Sequence, residues 1–120
     1  MIKKIAVATL WVLDFEKAIP FYKEILGFEL LTRPGEVPHF KIGDGRLVLL
    51  KGEFCPPDDA FPPEFAQLSF EVDNLDQITA HLQKAGVNLV GYIEDRRDSR
   101  WIKFRDPDGN LLELVEIKTP

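Results

Sequence analysis

The sequence contains two copies of one pattern, and this repeat limits the possible folds more than any other feature. In each copy an aspartate precedes an amphipathic stretch that stops at a glycine: Asp14 and Gly27 first, then Asp73 and Gly86. Equivalent residues are 59 positions apart in both cases. Such a period indicates two copies of one supersecondary unit. Since 120 residues is the size of one domain, we expect the copies to share a core.

Each copy is predicted to contain one strand, one helix and three further strands. Apolar residues recur at three- and four-residue spacing after each aspartate, which is typical of a capped amphipathic helix. Pro20 lies inside the first helix, which we expect to bend there. Residues 52–65 contain four prolines, so this segment is predicted to be a linker. The predicted modules are therefore residues 1–51 and 66–120, within a single domain over 1–120.

Alternating or continuous apolar runs between turn residues define the predicted strands. A ferredoxin-like βαββαβ sandwich explains the two helices but leaves too many strands unassigned, so we favour two βαβββ modules. The predicted strands are Ile5–Val12, Phe28–Arg33, Pro38–Ile42, Leu47–Lys51, Ala66–Val72, Val87–Tyr92, Arg100–Phe104 and Leu111–Ile117.

The composition restricts the class of protein. The chain is 45% hydrophobic and 29% charged, which is typical of globular domains, and no apolar run approaches the ~18–20 residues of a membrane span. The net charge of -5 argues against a nucleic-acid partner. No cleavage site follows the first lysines, and the single cysteine, Cys55, fits a reducing compartment. We therefore expect a cytoplasmic protein without nucleic-acid or membrane partners.

Two stretches of sequence resemble those of a known superfamily. The first, Phe21–Phe28, reads FYKEILGF, and the second, Arg105–Leu114, contains the turn sequence DPDGN. With the repeated layout, they resemble the vicinal oxygen chelate superfamily of glyoxalases, bleomycin-resistance proteins and extradiol dioxygenases. The resemblance implies an α+β fold in which two βαβββ modules form a U-shaped mixed sheet around a ligand-binding cup. It also implies a homodimer that binds a small molecule.

Enzymes of that superfamily usually hold one divalent metal in the cup. The resemblance assigns the metal-ligand positions to Val7, Gln67, Glu113 and Leu49, or to Leu50 after a one-residue slip. Valine and leucine cannot coordinate a metal, and glutamine offers only a neutral amide oxygen, whereas transition-metal sites normally use about three strong ligands. We therefore expect no metal cofactor. If a divalent metal does bind, the expected ligands are Glu113, Gln67 and His39.

Side-chain alternation divides each strand between two faces. The consistently apolar faces are expected to pack on the helices, and the mixed faces to line the cup. A cup lined by apolar, aromatic and a few polar groups suits a small organic ligand. The candidate ligand-binding residues are Val7, Thr9, Trp11, Leu49, Gln67, Ser69 and Glu113, together with Trp101 as a stacking residue and His39 near the mouth of the cup.

Two classes of function follow from these observations. The favoured one is a metal-free small-molecule-binding protein similar to bleomycin-resistance proteins. The alternative is a metal-dependent lyase, isomerase or dioxygenase of the glyoxalase class that uses Glu113 and nonstandard ligands. Glu113 is the candidate catalytic residue, since a carboxylate in an apolar surrounding suits proton abstraction. A metal-independent enzyme that uses Glu113 alone for acid–base catalysis is a third possibility.

Overall fold

The computed structural model describes residues 1–52 and 66–118, so nearly all of the predicted linker and Cys55 lie outside the described residues. The chain divides into two compact units, Met1–Cys55 and Pro56–Pro120. Each unit contains one four-stranded mixed sheet and helical structure, which confirms the α+β prediction. The single domain and the cup remain predictions. Among the described residues, no helix is long and apolar enough to span a membrane.

The first unit has the predicted βαβββ order. Its sheet follows the order β1-β4-β3-β2, with β1 parallel to β4 and the other pairs antiparallel. The α-helix continues directly into one π-helical segment, Phe21–Ile25. The elements are β1 (Val7–Val12), α1 (Phe15–Pro20), β2 (Glu29–Leu30), β3 (His39–Ile42) and β4 (Gly45–Lys51).

Helix α1 begins where its sequence predicts. The Asp14 carboxylate accepts a hydrogen bond of 2.8 Å from the backbone N–H of Glu16, which confirms the predicted cap. At Pro20, where a bend was predicted, α1 ends and π-helical bonding begins, because proline lacks the N–H that an α-helical turn requires. Gly27 then adopts a φ of 79°, a conformation that favours glycine and ends the helical segment.

The second unit repeats this arrangement. Its sheet order, β5-β8-β7-β6, matches that of the first sheet element by element, with β5 parallel to β8. Buried leucines on the helix and buried residues on β7 and β8 form its core. The elements are β5 (Leu68–Glu71), α2 (Leu75–Lys84), β6 (Asn88–Asp95), β7 (Ser99–Arg105) and β8 (Leu111–Ile117).

The cap of α2 and the end of β6 differ from the prediction. Asn74, and not Asp73, caps α2, because its side-chain oxygen accepts from the N–H of Gln77 at 3.0 Å. Strand β6 continues to Asp95, past Tyr92, where the predicted strand ended. An irregularity in the pairing of β6 with β7, next to Gly91 at a φ of 76°, lets the strand resume.

In the first unit, the predicted strand Phe28–Arg33 is reduced to the two residues of β2. A strand cannot extend far here because Pro34 and Gly35 follow, and Gly35 has a φ of 88°. The sheet therefore has one very short edge strand, and β3 and β4 provide most of its surface beside β1.

Candidate functional site

The first sheet has one face directed away from its helix, which we call the first open face. On β1 it carries Val7, Thr9 and Trp11, and the exposed fractions of Val7 and Trp11 are 50% and 41%. Helix-facing residues such as Phe40, whose ring centroid lies 5.9 Å from that of Tyr22, belong to the opposite face. The strand register adds six residues to the first open face: Arg46, Val48 and Leu50 from β4, His39 and Lys41 from β3, and Glu29 from β2.

The prediction that Leu49 shares a face with Val7 and Thr9 is wrong. Leu49 pairs with Leu10, is 0% exposed and lies on the helix-facing side of the sheet. The residue opposite Trp11 on the open face is Leu50. A shift of one residue moves every side chain of a strand to the other face, and the uniformly apolar run of β4 gave no alternation from which to choose.

His39 lies on the first open face and is held at two points. Its backbone N–H donates to the Thr32 hydroxyl at 3.2 Å, and its ring Nδ1 lies 3.2 Å from an Arg46 guanidinium nitrogen. Since arginine can only donate, Nδ1 accepts this bond, and the neutral ring carries its proton on Nε2. The ring thus fixes one N–H of Arg46 and presents Nε2 as a further donor.

The second sheet has an equivalent face, which we call the second open face. Here Ser69, Glu113 and Lys103 lie side by side on β5, β8 and β7. The Ser69 hydroxyl donates to Glu113 Oε1 at 2.6 Å. Glu113 is therefore an oriented acceptor whose other oxygen is available to a ligand donor, with a lysine as its neighbour across the strands.

Gln67, which precedes β5, has a structural contact. Its side-chain amide donates to the backbone carbonyl of Leu111 at 2.8 Å. This bond joins the chain just before β5 to the first residue of β8, so the amide group is already engaged within its own unit.

Trp101 also lies on the second open face, opposite Val115 and Glu94. The Arg96 guanidinium lies 5.8 Å from the centre of its ring, a cation–π distance, and Arg96 also pairs with Glu94 at 3.4 Å. One side of the indole is therefore already in contact with a cation. A planar ligand would use the other side or displace Arg96.

Arg100, on β7, holds α2 to its sheet. It bonds both carboxylate oxygens of Asp76, at 3.0 and 3.1 Å, and lies near Asp95 and Glu116. Its hydrogen bonds and charge lower the pKa of Asp76, and a hydrogen bond from Lys118 lowers the pKa of Asp95. These ion pairs lie within the second unit and indicate a structural role for Arg100 rather than ligand binding.

The residues at the superfamily's metal positions do not fit a metal ion. Val7 and Leu50 on the first open face have no donor atoms, Gln67 offers only a neutral amide oxygen, and Glu113 is the one carboxylate among these four residues. Over residues 1–52 and 66–118, no cluster of three or more histidine, cysteine, aspartate or glutamate side chains could hold a metal. His39, the expected third ligand, turns Nδ1 toward the positively charged Arg46, an unfavourable neighbour for a cation.

Sequence reasoning missed Lys41 and Arg46 on the first open face. The signal was present in the turn Gly43-Asp44, which connects β3 to β4 and pairs Ile42 with Gly45. Gly43 has a φ of 56°, as a two-residue hairpin turn requires. Counting back from such a turn places Lys41 opposite Arg46 without further information.

Comparison with known proteins agrees with this fold. The profile of the glyoxalase/bleomycin resistance protein/dioxygenase superfamily matches residues 4–114. The metallothiol transferase FosB of Staphylococcus saprophyticus is 31% identical over 117 residues, which cover 95% of this chain and 77% of FosB. TnmS3 from Streptomyces sp. CB03234, described as an antibiotic binding protein, is 31% identical with a TM-score of 0.77 and 98% coverage of both chains.

A further solved structure supports the fold alone. The fosfomycin resistance protein FosX from Listeria monocytogenes has a TM-score of 0.80 at 22% identity, covering 98% of this chain and 96% of FosX. The chain belongs to the glyoxalase/bleomycin resistance protein/dioxygenase superfamily, as its two sequence motifs predicted.

Proposed function

We propose that this protein binds a small organic molecule on its open sheet faces and does so without a resident metal. The observation that carries the proposal is the donor set at the superfamily's metal positions. Val7 and Leu50 supply no donor atom, Gln67 supplies only an amide oxygen, and Glu113 supplies the single carboxylate. One carboxylate and one amide fall short of the roughly three strong ligands of a transition-metal site.

Each open face supplies aromatic area and a polar group for an organic ligand. Trp11 and the Thr9 hydroxyl lie on the first open face, and Trp101 and the oriented Glu113 carboxylate lie on the second. Ligand sites of this kind combine apolar and aromatic area with a few fixed polar groups. In this proposal Glu113 anchors the ligand and does not abstract a proton from it.

The relatives support this class of function without naming the ligand. TnmS3, which has the same overall identity to this chain as FosB, is described as an antibiotic binding protein. We therefore propose a drug-sized ligand for this chain. The superfamily resemblance also leads us to propose a homodimer, and the single cysteine leads us to propose a cytoplasmic location.

A second candidate is metal-dependent group transfer or a related glyoxalase-class reaction. It is favoured by FosB, whose name is metallothiol transferase and whose similarity extends over 95% of this chain. This candidate requires a metal to bind tightly through Glu113. It therefore differs from the first in a measurable way: the stability of the protein would depend on a divalent metal.

Tryptophan fluorescence tests the ligand proposal directly. We expect at least one aromatic compound from a set of neutral, anionic and cationic members to change the emission and raise the melting temperature. A ligand present at ~100 times its dissociation constant adds about 2.7 kcal/mol to the free energy of unfolding. Trp11→Phe and Trp101→Phe are the matched pair, because each leaves the indole of the other open face as reporter. If no compound alters either emission or melting temperature, the proposal is wrong.

A further inference from the structure

The first open face carries a basic group of three side chains, His39, Lys41 and Arg46, on adjacent strands. Lys41 lies directly opposite Arg46, and His39 contacts Arg46 at 3.2 Å. The chain as a whole has a net charge of -5. This local charge is therefore opposite in sign to that of the protein, and overall composition gave no indication of it.

The pairing of Lys41 with Arg46 is unfavourable by itself. Like charges directly opposite each other in an antiparallel pair destabilise a sheet. Glu29, on β2, is paired with Lys41 on the side away from Arg46, and its negative charge offsets one of the two positive charges. Within residues 1–52 and 66–118, neither Lys41 nor Arg46 forms an ion pair at salt-bridge distance. An anion seated between them would turn this repulsion into attraction.

Arg46 is oriented for such a contact. One of its guanidinium N–H groups donates to His39 Nδ1, which restricts the side chain and leaves the remaining N–H groups free to donate. Arginine binds carboxylate, sulfonate and phosphate oxygens through its planar fork, and lysine adds a compact charge beside it. Together with His39, these donors lie on the adjacent strands β3 and β4 of the first open face.

Beyond the basic group the same face becomes apolar. Val7 lies opposite Arg46, and Thr9 and Trp11 follow along β1. Alternate residues of a strand are about 6.6 Å apart, so Val7 and Trp11 are separated by roughly 13 Å. That distance matches the length of a drug-sized molecule with a charged group at one end and an aromatic body.

We propose that the first open face binds organic anions, with the anionic group between Lys41 and Arg46 and the apolar body directed along β1 toward Trp11. This inference rests on the proposed function and names its ligand class: aromatic or aliphatic carboxylates, sulfonates or phosphate esters. This ligand class is opposite in charge to the cationic ligands that the net charge of -5 alone would favour.

Two dyes with the same body test the charge requirement. They are 1-anilinonaphthalene-8-sulfonate, which is anionic, and N-phenyl-1-naphthylamine, which lacks the sulfonate. The test variant is Lys41→Gln with Arg46→Gln. The matched control is Lys17→Gln with Lys23→Gln, which removes the same charge from exposed helical positions of the same unit. Circular dichroism melting verifies that all three proteins are folded at the titration temperature.

We expect the Lys41/Arg46 variant to bind the sulfonate dye about tenfold more weakly or worse, since bonds to charged groups are the stronger ones. Its affinity for the neutral dye, and the control variant's affinity for both dyes, should change less than about twofold. Equal losses for both dyes, an equal loss in the control variant, or no loss at all would overturn the inference. If the parent binds the neutral dye alone, the inference fails while the proposed function stands; if it binds neither dye nor any compound of the fluorescence set, both fail.

Discussion

Replacing Tyr22 with alanine is expected to lower the free energy of unfolding by about 3–5 kcal/mol, the range found when large buried aromatic side chains are truncated. Tyr22 is 0% exposed. Its ring lies 5.2 Å from Phe21, 6.3 Å from Phe28 and 5.9 Å from Phe40, measured between ring centroids. The substitution leaves a cavity where the helical segment meets the first sheet, and these aromatic rings cannot all close it.

Urea unfolding followed by circular dichroism measures this loss. The chain's other tyrosine, Tyr92, provides the matched control because it is 91% exposed. Tyr92→Ala should change the free energy of unfolding by no more than about 0.5 kcal/mol, as is usual for surface positions. Similar losses in the two variants would show that the position of Tyr22 in the core is misassigned.

The second large effect is expected at the turn between β7 and β8. Asp106→Ala should cost about 1.5–3 kcal/mol, since bonds to a charged group are lost and part-buried donors are left unpaired. Asp106 is 5% exposed. Its carboxylate accepts from the N–H groups of Asp108 and Asn110, at 3.0 and 2.8 Å, and from the Asn110 side-chain amide at 2.9 Å.

Asp44, in the turn between β3 and β4, is the control for this substitution. Its carboxylate forms one exposed ion pair with Lys4 at 3.6 Å, and such pairs contribute about 0–1 kcal/mol. Asp44→Ala should therefore cost much less than Asp106→Ala in the same urea titration. Equal costs would mean that the Asp106 hydrogen bonds do not stabilise the turn.

The sequence predicted the order of elements well because local chemistry marks their ends. Asp14 caps α1, and Gly27 and Gly86 end the helical segments with positive φ. The turn around Asp106 separates two strands close to their predicted bounds. The choice between two adjacent cap residues, Asp73 and Asn74, could not be made locally, because both side chains can accept a backbone bond.

The faces of the strands were predicted correctly where polar and apolar residues alternate, and misassigned where they do not. Thr9 and Ser69 lie on the open faces because their strands alternate. Strand β4 carries a continuous apolar run, so its faces depend on pairing, and Leu49 was assigned to the wrong one. The basic pair of Lys41 and Arg46 likewise depends on the register of a hairpin rather than on either strand alone.

Thermal unfolding of chelator-treated protein, with and without added Ni, Zn, Mn or Fe(II), tests metal-free binding most directly. We expect that no metal changes the melting temperature of the parent by more than about 1 °C, because a shift requires binding to the native state. A metal present at a concentration of ~100 times its dissociation constant would add about 2.7 kcal/mol to the free energy of unfolding. It would raise the melting temperature by several degrees. Such a shift with one metal, lost in Glu113→Ala but kept in Asp44→Ala, would contradict the account and favour a metal-dependent enzyme.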